Sequence, residues 1–233
     1  MVARTFQDPV LGVITIRMHH MATGVKMRLS PRGGIIVTAP PRTPLFVLKR
    51  AVASSRDELQ DLVARAAPPL YQDQQAIGQA HRLAIVHNSQ ATDVSVRRSD
   101  GYIVATIPRT CDPADSDVQE AIRRTVVTTL RREAKAYLPK RLRVLADRFG
   151  YDYNATRFPH ASTRWGSCSS SGTIGMNIAL MKLPLELIDY VLIHELCHTQ
   201  HMNHSPAFWA AVAQADPQFK QHRSQLRTYT PNV

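Results

Sequence analysis

The sequence predicts an α+β protein: a β-rich N-terminal half with hairpins, then a C-terminal half of helices and edge strand carrying an H-E-x-x-H motif. Three observations predict it. Short alternating apolar runs fill residues 13–40 and 81–108. A long helical pattern follows, from residue 112 to about 150. Four histidines, His194, His198, His201 and His204, then fall within eleven positions, with Glu195 beside the first. A soft boundary is expected near residue 110. It separates a β-rich region 1–110 from a region 111–233 that carries the histidines, within one compact unit.

In the first forty residues, VITIRM (13–18), VKMRLS (25–30) and GGIIVTAP (33–40) alternate as strands do. The turn Ser30-Pro31-Arg32-Gly33 precedes the third, and Pro40-Pro41 closes it. From Thr43 to about Ala66 the apolar residues Leu45, Leu48, Val52, Leu59, Leu62 and Val63 recur at helical spacing, until Pro68-Pro69. A second strand patch comprises HRLAIVH (81–87), TDVSVRR (92–98) and YIVATIP (102–108), with Asp100-Gly101 as a hairpin turn. The two patches share too little sequence to define a repeat.

Asp112-Pro113 predicts the start of a long helix, with Asp112 as N-cap and Pro113 in the first helical position. It should run to about Tyr137, kink or restart at Pro139, and stop at Gly150. DYNATRF (152–158) reads as a short strand. TRWGSCSSSGTIGMNIAL (163–180) reads as two extended pieces around Ser169–Gly172, with Ile174, Met176, Ile178 and Leu180 on one face. Pro184 opens the helix that carries the histidines, with Glu186 in its first turn and a core stripe of Leu185, Ile188, Leu192 and Leu196. Ser205-Pro206 caps the next helix, which Asp216-Pro217 interrupts.

The chain of 233 residues is long enough for a sizeable core. No apolar run approaches membrane-spanning length, and the first residues lack a signal peptide's apolar centre. Three widely spaced cysteines, Cys111, Cys168 and Cys197, argue against a disulfide framework. A cytoplasmic protein is expected. The net charge of +11 admits a nucleic-acid partner or an anionic substrate. Nine Arg or Lys lie between Ala121 and Arg148 against Glu133 and Asp147, and Arg124, Arg131 and Lys135 share a helical face. That face reads as solvated, because no aromatic residues interleave with the charges.

His194 and His198 lie one turn apart on one helical face and can converge on one zinc ion. Glu195, about 100° round the helix, can reach a water at that ion without being a ligand. A catalytic zinc takes three protein ligands and keeps one position open. His201 on a continued straight helix would sit about 10 Å along the axis from His194, which closes a site poorly. His204, returning beyond a helix end that Asn203 can form in the left-handed conformation, is the expected third ligand. His201 reads as a surface histidine at a frayed end, or as a hydrogen-bond donor to negative charge near the metal.

These residues carry a resemblance. R-W-G-S-C-S (Arg164–Ser169), a variant G-x-I-x-x-N, L-P-x-x-x-I-D-Y-V-x-x-H-E-L-x-H (Leu183–His198) and M-N-H-S-P-x-F-W (Met202–Trp209) together resemble the YgjP-like metallopeptidases, relatives of the broader SprT-like zincins. P-R-G-G (Pro31–Gly34), followed by a strand and Pro-Pro, is similar as well. The resemblance implies a zincin-like metallohydrolase region in residues 111–233, zinc on His194, His198 and His204, and Glu195 as general base. It also implies that an extended peptide docks on the strand before the active-site helix, here Thr173–Leu180. Cys197 departs from the family's usual small residue and His201 from its usual non-histidine. Cys197 points away from the two helix histidines and reads as a small buried residue.

The expected chemistry is hydrolysis of a peptide or protein substrate. Two alternatives remain: a metal-dependent nucleotide phosphohydrolase, in which basic residues neutralise an oxyanion, and a binding module whose zinc is structural. Cys168 is either an extra ligand or part of a tight turn under the site. Arg164 either binds a substrate anion or pairs with an acid.

Overall fold

The computed structural model describes residues 4–30, 34–66 and 70–233. The expected turn at Ser30–Gly33, most of the P-R-G-G segment, the packing of Leu62 and the Pro68-Pro69 stop lie outside the described residues. The protein is α+β, with three sheets and six α-helices among the described residues. It divides into two compact units, one ending at Pro69 and one starting at Leu70.

In the first unit, β1 (Arg4–Asp8), β2 (Gly12–Met18), β3 (Lys26–Leu29) and β4 (Ile35–Ala39) form a sheet in the order β1-β2-β4-β3. β2 and β4 run parallel, and the two outer pairs are antiparallel. Alternation sends Ile14, Ile16, Ile35, Val37 and Ala39 to one face. There they pack with Leu48, Val52 and Leu59 of α1 (Leu45–Ser54) and α2 (Arg56–Ala66). β1 was not expected, since Phe6 is the only large apolar residue in RTFQD. The single helix expected over 43–66 is two. At Ser55 the backbone leaves helical geometry (ψ 19°), and its N–H shares the Ala51 and Val52 carbonyls.

The β1–β2 turn is held by Asp8, whose carboxylate accepts from the Val10 and Leu11 N–H groups and from Arg56 at 2.9 Å. The Arg56 hydrogen bond, helped by these N–H groups and opposed by burial, lowers the Asp8 pKa from 3.8 to about 2. The stabilisation is therefore present above about pH 3.8 and lost as pH falls through about 2. Asp8→Asn is expected to cost this unit about 1–2 kcal/mol at neutral pH, a figure discounted because Arg56 is one-third exposed. Chemical denaturation at pH 7 and pH 2.5 checks it: the wild-type advantage should shrink at the lower pH.

The second unit has a sheet of the same topology. β5 (Ala76–Ile77), β6 (His81–Asn88), β7 (Ser95–Ser99) and β8 (Tyr102–Pro108) follow the order β5-β6-β8-β7. The central pair is again parallel and the outer pairs antiparallel. The two strand patches, too dissimilar in sequence to be read as copies, thus share one connectivity. Asp100-Gly101 makes the expected β7–β8 turn, with φ 22° and 79°. Ile103, Ala105 and Ile107 of β8 are buried in one core with α3 (Ser116–Phe149). This packing ties the second patch to the elements after residue 111, so the contacts divide at Pro69 rather than near residue 110.

α3 differs from expectation at both its start and its middle. Asp112 is not its N-cap: its carboxylate takes the Ala114 N–H in a separate turn, and the helix starts at Ser116 after Asp115. It then runs unbroken through Pro139 to Gly150, whose φ of 72° ends it as the sequence suggests. Buried apolar residues recur every fourth position: Val118, Ile122, Val126, Leu130, Ala134, Leu138, Leu142 and Ala146. Four residues overshoot a turn by about 40°, so the stripe winds around the helix. Its partners change along the way. Gln119 bonds the Tyr71 backbone, Glu133 takes His81 and the Gln79 N–H, and Arg141 makes a two-point ion pair with Asp189 (2.7 and 2.5 Å). Burial along its whole length offsets the hydrogen bond lost at Pro139.

The cations of α3 give the nucleic-acid reading no support. Arg124, Arg131 and Lys135 are exposed, Arg123 lies over Tyr71, and Arg141 is paired. No helix among the described residues is long and apolar enough to cross a membrane.

After α3, β9 (Ala155–Arg157), β10 (Gly166–Cys168) and β11 (Thr173–Met176) form a sheet in the order β10-β11-β9. The strand expected to reach Leu180 stops at Met176. Asn177 accepts from the Ala179 N–H and starts a 3₁₀ turn over Ile178–Lys182. β11 is also the central strand, not the edge; β10 and β9 are the edges. α4 (Leu185–Cys197), α5 (Pro206–Ala215) and α6 (Phe219–Leu226) complete the unit.

Candidate metal centre

α4 starts after Pro184 and carries Glu186 in its first turn, as expected. It is buried nearly all round: Ile188, Leu192 and Leu196 of the expected stripe are inaccessible, and so are Leu187 and Cys197. Leu185 is the exception, at half exposure. The helix ends without a left-handed residue. His198 keeps helical angles (φ −68°, ψ −15°), and the Thr199, Gln200 and His201 N–H groups fold back onto the Leu196 and Cys197 carbonyls. Asn203 is not among the residues with positive φ. The chain then returns through His204 to Ser205, whose hydroxyl caps α5 at the Phe208 N–H with Pro206 in the first turn.

That return brings His194, His198 and His204 together. One ring nitrogen from each lies within 4.8 Å of the other two. The His194 and His204 Nε2 atoms are 3.2 Å apart. Two nitrogens at 2.0–2.1 Å from a tetrahedral zinc lie about 3.3 Å from each other, so this pair has the separation of two ligands of one ion. His201 joins through its backbone. Its carbonyl accepts from His198 Nδ1–H at 3.0 Å, which fixes the ring and leaves Nε2 unprotonated toward the centre. Phe208 of α5, fully buried, contacts all three imidazoles, with ring centroids at 4.9, 4.4 and 4.9 Å. Trp209 stacks on His204 at 5.6 Å.

The electrostatics favour neutral, lone-pair-bearing rings. Burial, then the neighbouring histidines and Arg223, drives the His194 pKa down to about 3, and burial lowers His198. His194 Nδ1 is buried without a hydrogen-bond partner. Cys168 and Cys197 stay outside the three-nitrogen group. Both thiols are pushed up by burial, Cys168 also by the Glu195 charge, and Cys197 contacts the Tyr151 hydroxyl at 3.2 Å.

Glu195 is buried beside the centre, and its Oε2 has no partner. Burial pushes its pKa up to about 8, against the opposing charge of the exposed Arg164. Its carboxylate fits only because residue 166 is glycine. A Cβ on Gly166 would meet Glu195 Oε1, with Cγ at 2.6 Å and Cδ at 2.7 Å. Asn177 secures the loop before Gly166, donating to the Ala161 and Arg164 carbonyls at 2.6 and 2.8 Å. Gly166→Ala is therefore expected to displace the Glu195 carboxylate by about an ångström and lower kcat/KM about 100-fold. Metal content and far-ultraviolet circular dichroism should stay at wild-type values. A Gly166→Ala protein with wild-type turnover would show that the close approach has no functional weight.

The structure brings together the three histidines that the sequence singled out, with Glu195 beside them. Sequence reasoning missed the His201 carbonyl, Phe208 and the Gly166 approach. The R-W-G-S-C and F-W motifs marked the last two positions without giving them roles.

Three imidazoles converging on one point, with a buried carboxylate alongside, can hold a divalent transition metal. The family comparison agrees with that class. The family model described as YgjP-like, metallopeptidase domain, matches residues 23–229, and the chain belongs to this family. A solved structure, the crystal structure of the metallopeptidase zymogen of Pyrococcus abyssi abylysin, is 28% identical over 39% of this chain and 91% of that chain. Its TM-score of 0.36 is too low to carry a fold across. No curated protein matches significantly.

Proposed function

We propose that the protein is a zinc-dependent metallopeptidase in which His194, His198 and His204 hold the ion and Glu195 is the general base. The convergence of the three ring nitrogens beside Glu195 is the observation that carries this reading. The donor set suits zinc, being all nitrogen with a buried carboxylate in reach. When bound, such an ion supplies Lewis acidity toward a water and a peptide carbonyl. Glu195, held close by the absent side chain at Gly166, takes the proton of the attacking water and passes it to the leaving amine. The His201 carbonyl orients His198 throughout.

The reading confines the zincin-like hydrolase machinery to residues 111–233 and the protein to the cytoplasm, where three unpaired cysteines are at home. The substrate would be extended and would add to β10, whose outer edge is unpaired among the described residues and which lies against Glu195. This moves the docking strand from the expected Thr173–Leu180 to Gly166–Cys168.

A second reading keeps the ion and changes the substrate. Arg164 and Arg223 both act on the centre's charges, which would suit a phosphate ester or anhydride of a nucleotide. The family and the free strand edge favour peptide. The structural-zinc reading is weaker, because among the described residues three ligands converge and no fourth joins them.

The test is metal content together with turnover. About one zinc per chain is expected, with peptide hydrolysis lost on chelation and restored by zinc. Nucleotide hydrolysis without peptide hydrolysis would transfer the site to the second reading. Turnover unchanged by complete metal removal would end both.

A further inference from the structure

We propose that the groove between α5 and α6 is a subsite for an acidic side chain, a Glu or Asp of the peptide substrate close to the scissile bond. The proposal rests on the metallopeptidase reading and specifies its substrates.

The groove has a volume of about 430 Å³ and is lined by Trp209, Phe219, Lys220, Arg223, Ser224 and Arg227. It starts at the metal centre: the Trp209 ring stacks on His204 and lies 5.9 Å from His194. One wall is a face of α6 and its C-cap, where Lys220, Arg223 and the C-cap residue Arg227 follow at i, i+3 and i+7. Arg223 is held 4.6 Å over the Trp209 ring, an arrangement that orders the guanidinium before a ligand arrives.

These three cations have no carboxylate partner at ion-pair distance among the described residues. The nearby Asp216 is buried and committed to His222 at 2.7 Å and to the Gln218 N–H. Like charges gathered on one helical face repel each other, and an incoming anion relieves that repulsion. The floor fits a short chain with a charged end. The carboxylate of a glutamate or aspartate can meet the cations and the Ser224 hydroxyl. Trp209 and Phe219 are stacked on each other (5.7 Å, 22°), which leaves no gap between them for a nucleotide base.

The experiment uses the zinc-loaded full chain and quenched fluorescent peptides that carry Glu, Gln or Lys at each position flanking the cleaved bond. At one position, kcat/KM for Glu should exceed that for Gln about tenfold at low ionic strength, and the ratio should fall as salt is added. The Lys220→Glu, Arg227→Glu double variant should reverse the order and favour Lys. Peptides cleaved with a Glu/Gln ratio near one at every position would overturn the subsite, and so would a double variant that keeps the wild-type ratio. Cleavage of no peptide of any sequence is a different outcome: it removes the peptidase reading itself, and the subsite with it.

Discussion

Glu195→Gln is expected to abolish peptide hydrolysis and leave the metal content unchanged. Glutamine keeps the size and one acceptor oxygen, and it fills the same space beside Gly166. It cannot take a proton from water. Loss of a general base of this kind typically costs 100- to 10,000-fold, about 3–5 kcal/mol of transition-state stabilisation. Since Glu195 is not one of the three converging nitrogen donors, zinc should remain bound at about one per chain. Turnover and metal analysis on the same preparation make the check. A Gln variant that turns over at the wild-type rate would remove Glu195 from the chemistry, and a variant that loses both activity and metal would recast it as a ligand.

His204→Ala and His201→Ala should part company. The first removes a donor from a three-nitrogen set, so zinc affinity should fall by several orders of magnitude. The second removes a side chain whose contribution to the centre is its backbone carbonyl, which alanine retains. Zinc affinity of His201→Ala should stay within about tenfold of wild type, the lower end of what disturbing a ligand's hydrogen-bond partner costs. Competition against a chromophoric chelator measures both. Equal losses would mean that the His201 ring itself reaches the metal.

That contrast also marks what could be read from the amino-acid sequence. His194, His198 and His204 were legible because side-chain type and spacing carry the chemistry: two donors one turn apart, and a third after a helix end. The support given by the His201 carbonyl was not legible, because every residue has a carbonyl and only the fold decides where it points. The helix end was expected from Asn203 in the wrong conformation, yet the chain turned back where needed by tightening at Thr199–His201. The Asp112-Pro113 pair had the local chemistry of a helix start and became a turn, since Asp112 and Asp115 bond each other's segment. β11 was taken for an edge because strand order in a sheet is a long-range fact. The cationic face of α6 was not singled out, because nothing in one dimension joins it to Trp209.

The winding stripe of α3 has a consequence for how the second unit tolerates change. Over the span from Val118 to Ala146, seven steps of about 40° carry the apolar line some three-quarters of the way round the helix. The His81 partner of Glu133 and the Asp189 partner of Arg141 meet the helix about 80° apart. A single residue inserted into α3 between these two contacts would turn one end against the other by about 100° and break both alignments at once.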